Sequence, residues 1–178
     1  RSVFVAGSNI YTAGYEIKGM KYVAKVWKNG NELFVLTDGS NNADTYSVFV
    51  VGEDVYTAGY ENNGTKEVAK VWKNGKELYD LTDGTKRAEA RSVFVVGGDV
   101  YTSGYESNGS NNVAKVWKND NELYALTDGS NDASAKSVFV ADDKVYTAGY
   151  DGSVAKLWKN KSATDLTDGS HYAKAKSI

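Results

Sequence analysis

Few side chains in this 178-residue chain are equipped for covalent chemistry, and those that are come in copies. His171 is the single histidine, cysteine is absent, and no serine or aspartate stands apart from its counterparts elsewhere. A thiol nucleophile, a thiolate metal site and disulfides are thereby excluded. The 23 carboxylates could supply an acid and base pair for glycoside hydrolysis, but no two are singled out by spacing. What recurs is an aromatic beside an acid: Tyr15-Glu16, Tyr60-Glu61, Tyr105-Glu106 and Tyr150-Asp151. A ring that stacks on a sugar face, next to a carboxylate that accepts hydroxyl protons, suits a hydroxyl-rich ligand. These eight residues form the candidate ligand-binding set. The plainer reading makes them strand-end aromatics with solvated acids.

Other columns read more readily as structure. Trp27, Trp72, Trp117 and Trp158 each follow the same Val-Ala-Lys run, as packing elements with a satisfied indole N–H would. The segment Asp38-Gly39-Ser40-Asn41-Asn42-Ala43-Asp44 has the oxygen density of a calcium loop. Its second copy places Lys86 and Arg87 among the would-be ligands, so turn chemistry accounts for it better and neither metal nor cofactor is expected.

The elements that must position these residues are written into a repeat. Ser-Val-Phe-Val begins at Ser2, Ser47, Ser92 and Ser137, and Ser177-Ile178 starts a fifth copy after a shorter interval. Such periodicity points to supersecondary units that cannot bury their own apolar faces alone. The first copy divides into strand-like runs Ser2–Val5, Ile10–Glu16, Val23–Lys28 and Glu32–Thr37. Gly7-Ser8-Asn9, a longer loop 17–22 and the tight Asn29-Gly30 turn separate them. Each copy is therefore expected to be a four-stranded antiparallel meander. Both faces of the first two strands are apolar, which suits sheets packed face to face, whereas Lys25 and Lys28 bring water to the third. Polarity rising outward is the signature of radial blades with the first strand innermost, and the small Ala13 and Gly14 suit close approach between blades. The expected unit is one domain, 1–178, with repeats 2–46, 47–91, 92–136 and 137–176. The connection 151–153 of the last copy is four residues shorter than its counterparts.

Composition bounds the rest. Proline is absent, so Gly, Asn and Asp must make the turns. A net charge of −2 with dispersed lysines gives no nucleic-acid footprint, and no apolar run is long enough for a membrane span. The chain opens and closes inside a repeat, as a piece of a longer ring would.

The order Ser-Val-Phe-Val, Val-Tyr-Thr-Ala-Gly-Tyr, Val-Ala-Lys-Val-Trp-Lys, Leu-x-x-Leu-Thr-Asp-Gly resembles a β-propeller blade of the WD40-like kind. Lys25-Val26-Trp27-Lys28 stands where that family has Lys-Leu-Trp-Asp. Lys28, Lys73, Lys118 and Lys159 replace its Asp, and its Gly-His pair is missing, so the family's side-chain tetrad is not carried over. Asp38, Asp83, Asp128 and Asp168 are expected to take a related structural part by accepting backbone N–H bonds in the turn between blades. The copies are also similar to tandem propeller repeats of secreted and surface proteins of bacteria. The resemblance implies an all-β propeller with four blades in this chain. These form a closed disc, part of a larger ring, or half of a ring completed by self-association. The function expected is a non-catalytic scaffold for protein or ligand binding, extracellular, periplasmic or at the cell surface. Its alternatives are a glycan-binding, lectin-like propeller and a fragment of a larger enzyme whose catalytic residues lie elsewhere.

Overall fold

Sixteen strands and no helix make up the computed structural model, which describes all 178 residues. They form four antiparallel sheets of four strands in sequential order. The first holds β1 (Ser2–Ala6), β2 (Asn9–Lys18), β3 (Lys21–Lys28) and β4 (Asn31–Val35). The second holds β5 (Ala43–Val51), β6 (Asp54–Asn62), β7 (Glu67–Lys73) and β8 (Lys76–Asp80). β9 (Ala88–Val96), β10 (Asp99–Ser107), β11 (Asn112–Lys118) and β12 (Asn121–Ala125) form the third. β13 (Ala133–Ala141), β14 (Lys144–Asp151), β15 (Val154–Lys159) and β16 (Ser162–Asp165) form the fourth. The chain is a β-propeller array of four blades. No helix is long and apolar enough to cross a membrane.

Hairpin chemistry explains the meander. Asn29, Asn74, Asn119 and Asn160 all sit at positive φ, between 51° and 56°, which asparagine tolerates. Each also folds its side chain back: Asn29 Oδ1 accepts the Ile10 N–H at 2.8 Å, and Asn74 Oδ1 the Val55 N–H at 2.8 Å. The loop expected over 17–22 is smaller than the sequence suggested. Ile17 pairs with Tyr22 and Lys18 with Lys21, leaving only a Gly19-Met20 turn.

Consecutive blades pack through a repeated joint. The innermost strands β1, β5, β9 and β13 lie next to one another in series. Phe4, Phe49, Phe94 and Phe139 form a ladder along them, with ring centroids 4.7–4.9 Å apart. A serine hydroxyl bridges each pair of inner strands: Ser2 Oγ accepts the Val48 N–H at 3.2 Å, Ser47 the Val93 N–H at 3.1 Å, Ser92 the Val138 N–H at 3.2 Å. Ile178 repeats the pattern on Ser137. One blade's Tyr11, Ala13, Val26 and Leu36 meet the next blade's Val48, Val50, Val55 and Trp72 in a single core. Trp72, Trp117 and Trp158 are fully buried, each in the core of its own joint, while Trp27, on the first blade, is half-buried.

Two further details depart from the sequence reading. The inner strands of the later blades begin at Ala43, Ala88 and Ala133, four residues before Ser-Val-Phe-Val, because that stretch pairs with the far end of the second strand. Gly59, Gly104 and Gly149 serve this pairing, whereas Gly14 has no such partner and its carbonyl oxygen accepts the Thr45 hydroxyl of the next blade at 2.9 Å. A Cβ on Gly59 would lie 2.0 Å from the Asp44 carbonyl oxygen of the same blade, and one on Gly104 2.0 Å from that of Glu89.

Candidate functional site

That close approach exists because each later inner strand carries a β-bulge. In the second blade Thr45 pairs with Gly59 and Ser47 with Ala58, so Tyr46 is the extra residue. Arg91 is extra in the third blade and Lys136 in the fourth. A bulge re-aims the side chain of its extra residue away from the strand's alternation. Here Tyr46, Arg91 and Lys136 line one cavity of about 440 Å³ together with Arg1 and Lys176, which hold the same repeat position. One cavity shared by that position from all copies shows that the blades turn about a common centre.

The cavity's electrostatics are lopsided. Arg1 Nη2 is 2.7 Å from the buried Asp44 carboxylate. Glu89, equally buried, takes Arg91, Arg87 (2.6 Å) and the Tyr105 hydroxyl (2.5 Å). The Arg91 guanidinium lies 4.1 Å from the Tyr46 ring centroid, a stacked cation–π contact. Burial raises the Asp44 carboxyl against the pull of Arg1, and burial with the nearby Glu89 charge raises the Tyr46 phenol. Lys136, Lys174 and Lys176 have no carboxylate partner. Burial, with Arg91 and Lys174 close by, pushes the Lys136 ammonium down to about 8.

The tyrosine and acid column lies beside this network. Tyr105 and Tyr150 are buried, Tyr150 donating to Asp132 at 3.2 Å; Tyr15 and Tyr60 are half-buried, Tyr15 against Tyr22. Burial pushes the Tyr60 phenol up to about 12. The acids face the lysine of Val-Ala-Lys. Lys25 holds Glu16 and Glu32, and Lys115 holds Glu106 and Glu122 at 2.6 Å each. Lys70 is 3.9 Å from Glu61 but 2.6 Å from Asp80. Glu61 and Lys70 line a separate polar cleft of about 400 Å³ with Asn41, Asn62 and Asn63. Asp151 is half-buried, with one buried oxygen unpartnered. The structure thus bonds Tyr105 to the buried Glu89 and Tyr150 to Asp132, and ties two of the four acids into lysine clamps.

In the turns between blades, Asp38 Oδ1 accepts the Ser40 N–H at 2.8 Å, and Asp83, Asp128 and Asp168 accept from Thr85, Ser130 and Ser170 at 2.9 Å. The Ser40 hydroxyl and N–H hold the Asp38 carboxyl below the usual range, and the same donors do so for the other three.

No known protein family and no curated relative matches this chain. The cationic column was the missed feature. Its signal was present as Arg, Tyr, Arg, Lys, Lys before the serine of each copy. That position differs from copy to copy, so the shared pattern of the repeat does not carry it.

Proposed function

We propose that this protein is a non-catalytic scaffold for protein binding, and that one of its partners is a second copy of itself. The observation that carries the reading is the contrast between equivalent faces. Val3 and Val5 on the first blade are 63% and 61% exposed, whereas Val48 and Val50, in the same places on the second, are 3% and 7% exposed. At the other end Phe139 and Leu166 are 42% and 51% exposed, against 9% for the equivalent Leu36. The two end faces are the two halves of a joint already made three times within the chain. A fourth-blade face from one copy therefore fits the first-blade face of another, head to tail. Burying each valine contributes about 1.5–3 kcal/mol, before the cost of association. Residues 173–178 lie along the fourth blade, Ile178 bonding to Ser137 as Val48 does to Ser2, so docking requires the incoming Ser2-Val3 to take their berth.

The strand order of the blades and a tryptophan on the third strand of each blade support relating them to WD40-like propellers. Their likeness to tandem repeats of secreted and surface bacterial proteins supports a place outside the cytoplasm. Sedimentation velocity across a concentration series tests the scaffold. Reversible association is expected for the wild type and its loss for Val3→Lys/Val5→Lys, a change on an exposed face that leaves the fold intact. A wild type that stays monomeric at the highest concentrations, or a variant that associates equally well, refutes it.

A further inference from the structure

We propose that the cavity on the axis of the inner strands is a binding site for a phosphate group, carried by a small molecule or free in solution. Five residues at one repeat position converge there, and four of them, Arg1, Arg91, Lys136 and Lys176, are cationic. The volume, about 440 Å³, lies in the range of small-molecule pockets and exceeds what inorganic phosphate alone would fill.

Charge bookkeeping selects the guest. The carboxylates at the site are Asp44, Glu89 and Asp132. Asp44 is taken by Arg1; Glu89 is taken by Arg87 and Arg91 together. Asp132 bonds the Tyr150 hydroxyl and the Asn112 N–H. That leaves without an ion pair the half-buried Lys136 and the exposed Lys176 of the cavity lining, with the exposed Lys174 nearby, in a chain whose net charge is −2. A monocarboxylate would leave most of this charge uncompensated, whereas a phosphate dianion offers several oxygens to several donors. The guanidiniums are already oriented, Arg91 by Glu89 and by the Tyr46 ring, so little ordering remains to be done on binding.

Lys136 is the group most sensitive to occupancy. It faces Arg91 and Glu89 from β9, Lys174 from the C-terminal segment, Asp132 from the turn before β13, and the Tyr150 ring of β14 at 5.4 Å. Burial and its cationic neighbours weaken its hold on a proton to about pH 8, and an adjacent anion reverses that. Binding near pH 8 is accordingly accompanied by proton uptake.

The test is calorimetric titration of the full chain with inorganic phosphate, pyrophosphate, glycerol phosphate and acetate. It is run near pH 8 in two buffers of different ionisation enthalpy, with Lys136→Gln, Lys176→Gln and the double variant alongside. Neither lysine has an ion-pair partner to leave stranded, and circular dichroism checks that each variant keeps its sheets. The expected result is binding of at least one phosphate probe with Kd of about 1 mM or tighter. Acetate is expected not to compete, proton uptake is expected from the buffer comparison, and the double variant should weaken binding by about tenfold or more. Preference for glycerol phosphate assigns the site to an organic phosphate; equal binding of inorganic phosphate assigns it to the free anion. Absence of binding by all phosphate probes at about 10 mM, competition by acetate, or unchanged affinity in a folded double variant overturns the proposal.

Discussion

At the scale of single residues the turn aspartates set how the fold responds to acid. Asp38, Asp83, Asp128 and Asp168 hold their protons less tightly in the folded chain than aspartate does in an unfolded one. Their stabilisation is fully present above the unfolded pKa and is lost as pH falls through the lower folded value. Asp44 and Glu61 run the other way, because burial raises them, and they partly offset the loss. Urea unfolding between about pH 5 and pH 2 is expected to show falling stability. The slope should be shallower when all four turn aspartates are changed to asparagine; an unchanged slope would remove these groups from the account. The turn residues were legible in the sequence because Thr-Asp-Gly recurs without variation. The Tyr15, Tyr60, Tyr105 and Tyr150 column was only half legible. Its recurrence was plain, but which way each ring pointed depended on its neighbours, where Glu89 of β9 waits for Tyr105 and Asp132, in the turn before β13, for Tyr150.

At the scale of elements the bulge is the decisive departure from a regular sheet. Alternation along Ser-Val-Phe-Val gave the inner strand correctly from its serine onward. It could not give the bulge, which breaks alternation at Tyr46, Arg91 and Lys136 and appears in sequence as one residue too many. Gly59 is what permits it, since any Cβ there meets the Asp44 carbonyl oxygen at 2.0 Å. Gly59→Ala should therefore destabilise by about 1–3 kcal/mol through overpacking. Gly14→Ala, where the nearest atom is the flexible Arg1 side chain at 3.6 Å, should be near neutral. Chemical denaturation of the two variants makes the comparison, and equal effects would show that the bulge is not what the glycine accommodates. The fourth blade adds a smaller case. Its last strand lacks the register shift between Val26 and Trp27 seen in the first blade, so it reaches Leu166 with one residue fewer than the first blade uses to reach Leu36, through the loss of a bulge.

For the whole molecule, stability is expected to behave as a sum of blades and joints, because each blade packs only on its neighbours. The proposed association through the end faces would add a further joint, and linkage would make its effect depend on concentration. The thermal midpoint of the wild type should rise as protein concentration rises, while that of Val3→Lys/Val5→Lys stays constant. A midpoint independent of concentration in both would detach the end faces from self-association. The four-blade architecture was visible in the repeat itself. Where the end faces stand relative to one another was not, since it depends on the angle accumulated from joint to joint.

The glycine that faces each bulge has an effect beyond packing. Because it carries the steric burden, the extra residue opposite it is released from the jigsaw of the core, and natural variation already places Tyr, Arg and Lys there. The axial lining is thus an adjustable keyboard set in a stiff frame. A new guest can be accommodated by exchanging a few inward side chains, with the blades, their turns and their seams left untouched.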